Sequence, residues 1–81
     1  MNKESIGQRI RALRRSKKMT QAQLAKIAGV SSPAVTEWEK DSYLPKAASL
    51  DAIANEFSVT TEYILTGKSA VSKLDNNVDL S

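Results

Sequence analysis

A set of side chains suited to hydrogen bonding and packing falls on one face of a short predicted helix. Positions spaced i, i+1, i+4, i+5 and i+8 lie on the same side of an α-helix. In this stretch they are Ser32, Pro33, Thr36, Glu37 and Lys40. Ser32 can donate or accept hydrogen bonds, ionised Glu37 can only accept them, and Pro33 can only pack. The face is therefore suited to recognising the edge of another molecule, whereas Val35 and Trp38 on the opposite side are expected in the core.

The composition argues against catalysis. The 81 residues include no His and no Cys, which removes imidazole catalysis, imidazole or thiolate metal sites, and disulfides. The carboxylates stand singly on predicted helix surfaces, and no glycine-rich loop precedes a helix. We therefore expect no enzyme, no cofactor and no small-molecule substrate. The absence of cysteine fits the reducing cytoplasm, and no apolar run approaches the ~18 residues of a membrane span, so we expect a cytoplasmic protein with no membrane partner.

Residues 20–40 contain the elements that must position the outer face. Thr20 and Gln23 form the pattern of a capping box at the start of one helix. Gly29 suits the left-handed conformation that ends such a helix, and Ser31 is placed to cap a second helix with Pro33 in its first turn. The pattern predicts two short helices joined by a turn, the helix-turn-helix with which proteins enter DNA. The alternative is an αα-hairpin that packs and contacts no ligand.

The window resembles the DNA-binding domain of lambdoid phage repressors and Cro-type regulators. The resemblance extends over residues 6–67 and rests on the following positions: Arg14, Thr20-Gln21, Leu24-Ala25, Gly29-Val30-Ser31, Val35, Trp38-Glu39, Pro45 and Tyr63-Ile64-Leu65-x-Gly67. It implies an all-α, compact five-helix domain of the lambda-repressor type. It also implies a sequence-specific transcriptional regulator that binds double-stranded operator DNA as a homodimer, through a recognition helix at about residues 32–39.

The family pattern also assigns roles to individual positions. Ser32, Pro33, Thr36 and Glu37 match those that read base edges, although amide side chains are frequent there in the family. Pro33 and the Thr36 methyl group are expected to pack on thymine methyls, and Glu37 to accept from a cytosine amine. Gln21 matches a phosphate-binding glutamine at a helix start. The alternatives are an ion pair between Glu37 and a neighbour such as Lys40, and a plain surface role for Gln21.

Other site residues are placed more loosely. Proximity to the motif suggests further phosphate contacts, which are Arg11, Lys40, Tyr43 and Lys46. The family pattern pairs Arg14 with Glu39, and periodicity makes Arg14 half-buried beside Ile10, where an arginine needs a partner. The fifth helix has more apolar side chains than six residues can bury inward, so we expect a dimer contact there, at Tyr63, Ile64 and Leu65. We expect a homodimer, and the alternative to a dimer in solution is a monomer that dimerises only on DNA.

The rest of the chain is expected to complete the bundle. Ser5 caps a first helix with Ile6, Ile10 and Leu13 facing inward and with its arginines at positions 9, 11 and 15 mainly exposed. A fourth helix is predicted at about residues 47–57 and a fifth at about 61–66, ended by Gly67. Residues 1–67 form the predicted domain, and residues 68–81 a flexible tail or linker. A short recognition strand in that tail is the alternative.

The charge is distributed unevenly. Residues 1–46 contain ten basic and four acidic side chains, a net charge of +6, whereas residues 47–67 have a net charge of −3 and residues 68–81 a net charge of zero. A basic half that contains the helix-turn-helix is expected of a domain that presents one face to phosphate, although two solvated faces of opposite sign are the alternative. Two other functions use the same fold: an antitoxin that regulates its own operon through the same DNA face, and a protein-binding adaptor.

Overall fold

Five α-helices account for the regular structure of residues 4–68, the part of the chain that the computed structural model describes. They are α1 (Ile6–Ser16), α2 (Gln21–Ala28), α3 (Ser32–Glu39), α4 (Ala47–Phe57) and α5 (Thr61–Thr66). This described part contains no β-strand, so the predicted all-α five-helix architecture is confirmed. The predicted tail, except Lys68, lies outside the described residues, as do Met1 to Lys3.

The helix starts follow the predicted capping chemistry with one exception. Ser5 and Thr20 each accept a hydrogen bond from the backbone N–H three residues later, and Gln8 and Gln23 complete the two capping boxes. Ser31 has the extended backbone of an N-cap, but its side chain makes no capping hydrogen bond. Since Pro33 has no N–H to satisfy, the first turn of α3 has one fewer donor that needs a cap.

The core lies where all five helices meet. The fully buried side chains come from every helix: Ile10, Leu24, Val35, Ile53 and Ile64. Burial of an aliphatic side chain of this size contributes about 1.5–3 kcal/mol, so each is a substantial part of the stability of so small a domain. None of the helices between residues 4 and 68 combines the length and apolar character that a membrane crossing requires.

Two predictions about burial are wrong. Arg9, predicted to be exposed, is 6% exposed, and its guanidinium donates to the carbonyls of Ile64, Leu65 and Glu4 at 2.9, 3.1 and 2.6 Å. Ile64, predicted as a dimer contact, is fully buried, because α5 is so short that its single inward position has to fill the core. Tyr63 is half-buried and Leu65 is 42% exposed, so these two can still contribute to a surface.

Candidate nucleic-acid interface

The turn between α2 and α3 sets the angle at which the outer face of α3 is presented. Gly29 has φ 76°, a left-handed conformation that glycine adopts without a steric penalty. The N–H of Val30 donates to the carbonyl of Ala25 at 2.9 Å, which closes the end of α2. Ala25 is itself 3% exposed and lets α3 pass close to α2. The turn thus places α3 across α2 with its outer face free.

An ion pair ties α1 to the end of α3. The guanidinium of Arg14 donates twice to the carboxylate of Glu39, at 2.7 and 3.0 Å, and once to the carbonyl of Met19 at 2.8 Å. The two side chains are only 12% and 6% exposed. Burial raises the pKa of Glu39, but hydrogen bonds from Arg14 and Gln21 outweigh it, so the pKa of Glu39 is lowered overall. The predicted pair is therefore present and ionised at neutral pH.

Gln21 and Thr36 extend this ion pair toward the outer face. The amide nitrogen of Gln21 donates to Glu39 at 3.1 Å, and its amide oxygen accepts from the Thr36 hydroxyl at 2.8 Å. Gln21 is therefore not a plain surface glutamine, because it joins α2 to two positions of α3. Within residues 4–68 the amide nitrogen of Gln21 donates to Glu39 alone, so its second N–H can still donate to a ligand.

The outer face of α3 combines exposed and half-buried positions. Pro33 and Lys40 are exposed, whereas Ser32, Thr36 and Glu37 are half-buried. Among residues 4–68 the ion pairs are Arg14–Glu39 and Lys17–Glu56, so the alternative pairing of Glu37 with Lys40 is absent there. The carboxylate of Glu37 therefore remains able to accept a hydrogen bond from a ligand.

A groove runs beside this face, between α3 and the loop that follows it. Its volume is about 510 Å³, and it is bordered by Pro33, Glu37, Tyr43, Leu44 and Lys46 among others. Tyr43 and Leu44 are 69% and 62% exposed, the largest exposures of large hydrophobic side chains among the described residues. The loop therefore adds an apolar wall and a cation next to the outer face of α3.

Two residues that meet at the start of α1, Gly7 of that helix and Asp41 of the loop after α3, were not predicted from the sequence. Asp41, with φ 64°, accepts from the N–H of Gly7 at 2.8 Å, so it supplies a charge to the N-terminus of α1. Hydrogen bonds from Ser5 and Gly7 lower the pKa of Asp41. A side chain at Gly7 would overlap the carbonyl oxygen of Trp38, so this glycine allows α1 to lie against the end of α3. Both contacts join residues more than 30 apart in sequence, beyond the range of a local pattern.

Residues 4–68 include no group of three or more acidic side chains that could hold a metal ion. The polar groups gathered near α3 are instead hydroxyl, amide and carboxylate groups and separate cations. Their arrangement can form hydrogen bonds and neutralise negative charge, which is what a surface for nucleic acid requires.

The chain is similar to known proteins both in sequence and in structure. A family model described as "Helix-turn-helix" matches residues 10–64. Repressor protein C2 of Salmonella phage P22 is 37% identical over 67 residues, which are 83% of this chain and 31% of that protein. The immunity repressor protein of Bacillus phage phi105 is 36% identical over 61 residues, which are 75% of this chain and 42% of that protein. The chain thus spans about a third to two fifths of the length of these relatives.

The structural comparison agrees with the sequence comparison. A crystal structure of the P22 c2 repressor in complex with a synthetic operator superimposes with a TM-score of 0.77 and 35% identity. The superposition covers 82% of this chain and all of that one. Since the family model spans more than half of the chain and includes α2, the turn and α3, the chain belongs to the helix-turn-helix family and is similar to the repressors of phages.

Proposed function

We propose that this chain is the DNA-binding part of a transcriptional repressor of the phage type, which binds operator DNA through α3. The observation that carries the proposal is the outer face of α3, where Ser32, Thr36 and Glu37 present polar groups and where Glu37 has no ion-pair partner among the described residues. In this proposal α3 enters the major groove and these side chains meet base edges. The resemblance to repressors, one of them bound to operator DNA, supports it.

The surroundings of α3 supply contacts to the phosphate backbone. Gln21 stands at the first position of α2, where free N–H groups and the helix dipole favour an anion, and its amide keeps one donor for a phosphate. The cations proposed to meet further phosphates are Arg11, Lys40 and Lys46, and Tyr43 lies in the same loop as the last two. These contacts fix the position of the protein on DNA and carry no sequence information.

The active unit in this proposal is a homodimer on a site with two similar halves. Operators of helix-turn-helix proteins place their half-sites about one helical turn apart, roughly 34 Å. Tyr63 and Leu65 of α5 are the apolar side chains proposed for the dimer contact, since Ile64 is committed to the core. So small an exposed surface fits a domain that is monomeric in solution and dimerises on DNA.

Selection from random duplex DNA followed by binding measurements tests the proposal. Sequences enriched by the protein should share a pseudo-palindromic motif, and titration should give two protomers per site. The double variant Ser32→Ala/Glu37→Ala should lose the preference for that motif while keeping its weak affinity for random DNA, because base contacts carry the specificity. No measurable binding to any duplex at low salt would exclude the proposal.

A further inference from the structure

Four side chains form a continuous chain of hydrogen bonds from α1 to the outer face of α3. Arg14 donates to Glu39 at 2.7 and 3.0 Å, Gln21 donates to Glu39 at 3.1 Å, and Thr36 donates to Gln21 at 2.8 Å. The first members are largely buried, whereas Thr36 stands at the surface proposed to meet DNA.

The direction of the hydrogen bonds along this chain is fixed by its first two members. A guanidinium can only donate, and an ionised carboxylate can only accept. Glu39 therefore requires the NH₂ group of Gln21 to face it, because the opposite amide orientation would put an oxygen about 3.1 Å from a carboxylate oxygen. With the nitrogen directed at Glu39, the amide oxygen of Gln21 faces Thr36.

This orientation of the Gln21 amide gives the hydroxyl proton of Thr36 an acceptor within the protein. A threonine hydroxyl has one proton to donate and two lone pairs that accept. The Gln21 oxygen lies 2.8 Å from the Thr36 hydroxyl, whereas the competing Ser32 carbonyl lies at 3.4 Å. Whichever of these two oxygens accepts, the Thr36 hydroxyl donates its proton within the protein. Toward a ligand Thr36 can therefore act only as a hydrogen-bond acceptor.

We propose that Thr36 acts only as a hydrogen-bond acceptor toward DNA and reads an exocyclic amine, either adenine N6 or cytosine N4, with Arg14, Glu39 and Gln21 as the positioning residues that impose this role. The inference rests on the proposed DNA-binding function. It departs from the expectation that Thr36 contributes only a methyl group. Guanine N7 and O6 and thymine O4 are acceptors, so the Thr36 oxygen disfavours them at the base it meets.

Removal of single amines from the selected operator tests this proposal. Each adenine of one half-site is replaced in turn by purine, and each cytosine by 2-pyrimidinone, which lack the amine. Affinities are measured for the wild type and for Thr36→Val, which keeps the shape of the side chain. At one position the loss of the amine should weaken wild-type binding by about tenfold and Thr36→Val binding by much less. Thr66→Val is the matched control, because Thr66 also donates to a backbone carbonyl but lies on α5, and it should behave as the wild type.

The outcomes separate this inference from the proposed function. If the protein binds its operator but the removal of each amine weakens the wild type and Thr36→Val equally, the inference is overturned and DNA binding stands. The inference would also be overturned if replacing a guanine by 7-deazaguanine weakened the binding of the wild type but not that of Thr36→Val, because the Thr36 hydroxyl would then be donating to guanine N7. A wild type that binds no duplex would remove both claims.

The substitution Glu39→Gln tests the positioning role. In this variant the amide oxygen of residue 39 accepts from Arg14, so the amide nitrogen of residue 39 faces Gln21. Gln21 must then turn its amide oxygen toward residue 39 and its amide nitrogen toward Thr36. Gln21 would now donate to Thr36, so only the Ser32 carbonyl, 3.4 Å from the Thr36 hydroxyl, would compete with DNA for the Thr36 proton. Base preference at the amine position should therefore change from adenine or cytosine to guanine or thymine, measured by selection at a temperature where circular dichroism shows the variant folded. A uniform loss of affinity with an unchanged motif would show a merely structural role and overturn the assignment.

Discussion

At the scale of single residues, the ion pair of Arg14 and Glu39 is expected to dominate stability. Two largely buried charges were taken out of water, and their two hydrogen bonds offset that cost only while both partners are present. Arg14→Ala or Glu39→Ala should each lower the free energy of unfolding by about 3–5 kcal/mol, measured by urea denaturation. The exposed pair of Lys17 and Glu56 is the control, since Glu56→Ala should cost roughly 0–1 kcal/mol. Equal effects at the two pairs would contradict this reading.

The same pair gives a pH dependence whose sign follows from the lowered pKa of Glu39. A group with a lowered pKa in the folded state stabilises the fold above its ordinary pKa, here 4.5, and loses that contribution as the pH falls through the folded-state pKa. The melting temperature of the wild type should therefore fall more steeply below pH 4.5 than that of Glu39→Gln, which cannot titrate at this position. Parallel curves for the two proteins would show that Glu39 has an ordinary pKa.

Glu37 allows a prediction about binding at the same scale. Its carboxylate has no ion-pair partner among the described residues and stands on the face proposed to meet DNA, where it accepts from cytosine and repels phosphate. Glu37→Gln should therefore tighten binding to all sequences and change one preferred base in each half-site from cytosine to adenine. Comparing the motifs selected by the wild type and the variant checks this. Identical motifs would mean that Glu37 does not contact bases.

At the scale of elements, glycines control how the helices meet. In a helix interior, alanine is favoured over glycine by about 1 kcal/mol, so Gly7→Ala should stabilise α1 if propensity alone decided. The added Cβ would instead overlap the carbonyl oxygen of Trp38 and crowd Asp41, forcing α1 away from α3. We expect Gly7→Ala to be destabilising by about 1–3 kcal/mol in thermal unfolding. Substituting Gly29, which has no neighbour within 4 Å of an added Cβ, should cost only the strain of its φ of 76°.

The elements themselves could be predicted from the sequence, and their mutual contacts only in part. Capping residues and apolar spacing are local signals, and they predicted α4 and α5 with the bounds that the structure has. The burial of Arg9 could not be predicted in this way, because two of its three partners are carbonyl groups some 55 residues away on α5. Likewise, the hydrogen bonds of Gln21 depend on how α2 crosses α3, and the resemblance gave this glutamine only its proposed phosphate contact.

At the scale of the whole molecule, the uneven charge predicts a strong salt dependence of DNA binding. Four to six phosphate contacts per protomer, each contributing a slope of about −0.9, predict that log K falls with log salt at about −3.6 to −5.4 for each protomer bound. Lys46→Ala should reduce the magnitude of the slope by about one, and Lys68→Ala, at the far end of the described domain, should leave it unchanged. Fluorescence anisotropy between low and moderate salt measures both. A flat response would count against DNA as the partner.

The three hydrogen bonds of Arg9 should transmit mechanical force between the two ends of the described domain. They connect the last turn of α5 to α1 and to the carbonyl of Glu4, which lies just before α1. A pull on the backbone at Lys68 would first load Gly67 and the short α5, and the guanidinium would pass that load into α1. Since Arg14 and Asp41 join α1 to α3 and its following loop, tension at one end of the domain would be transmitted to α3 along covalent bonds and short polar contacts.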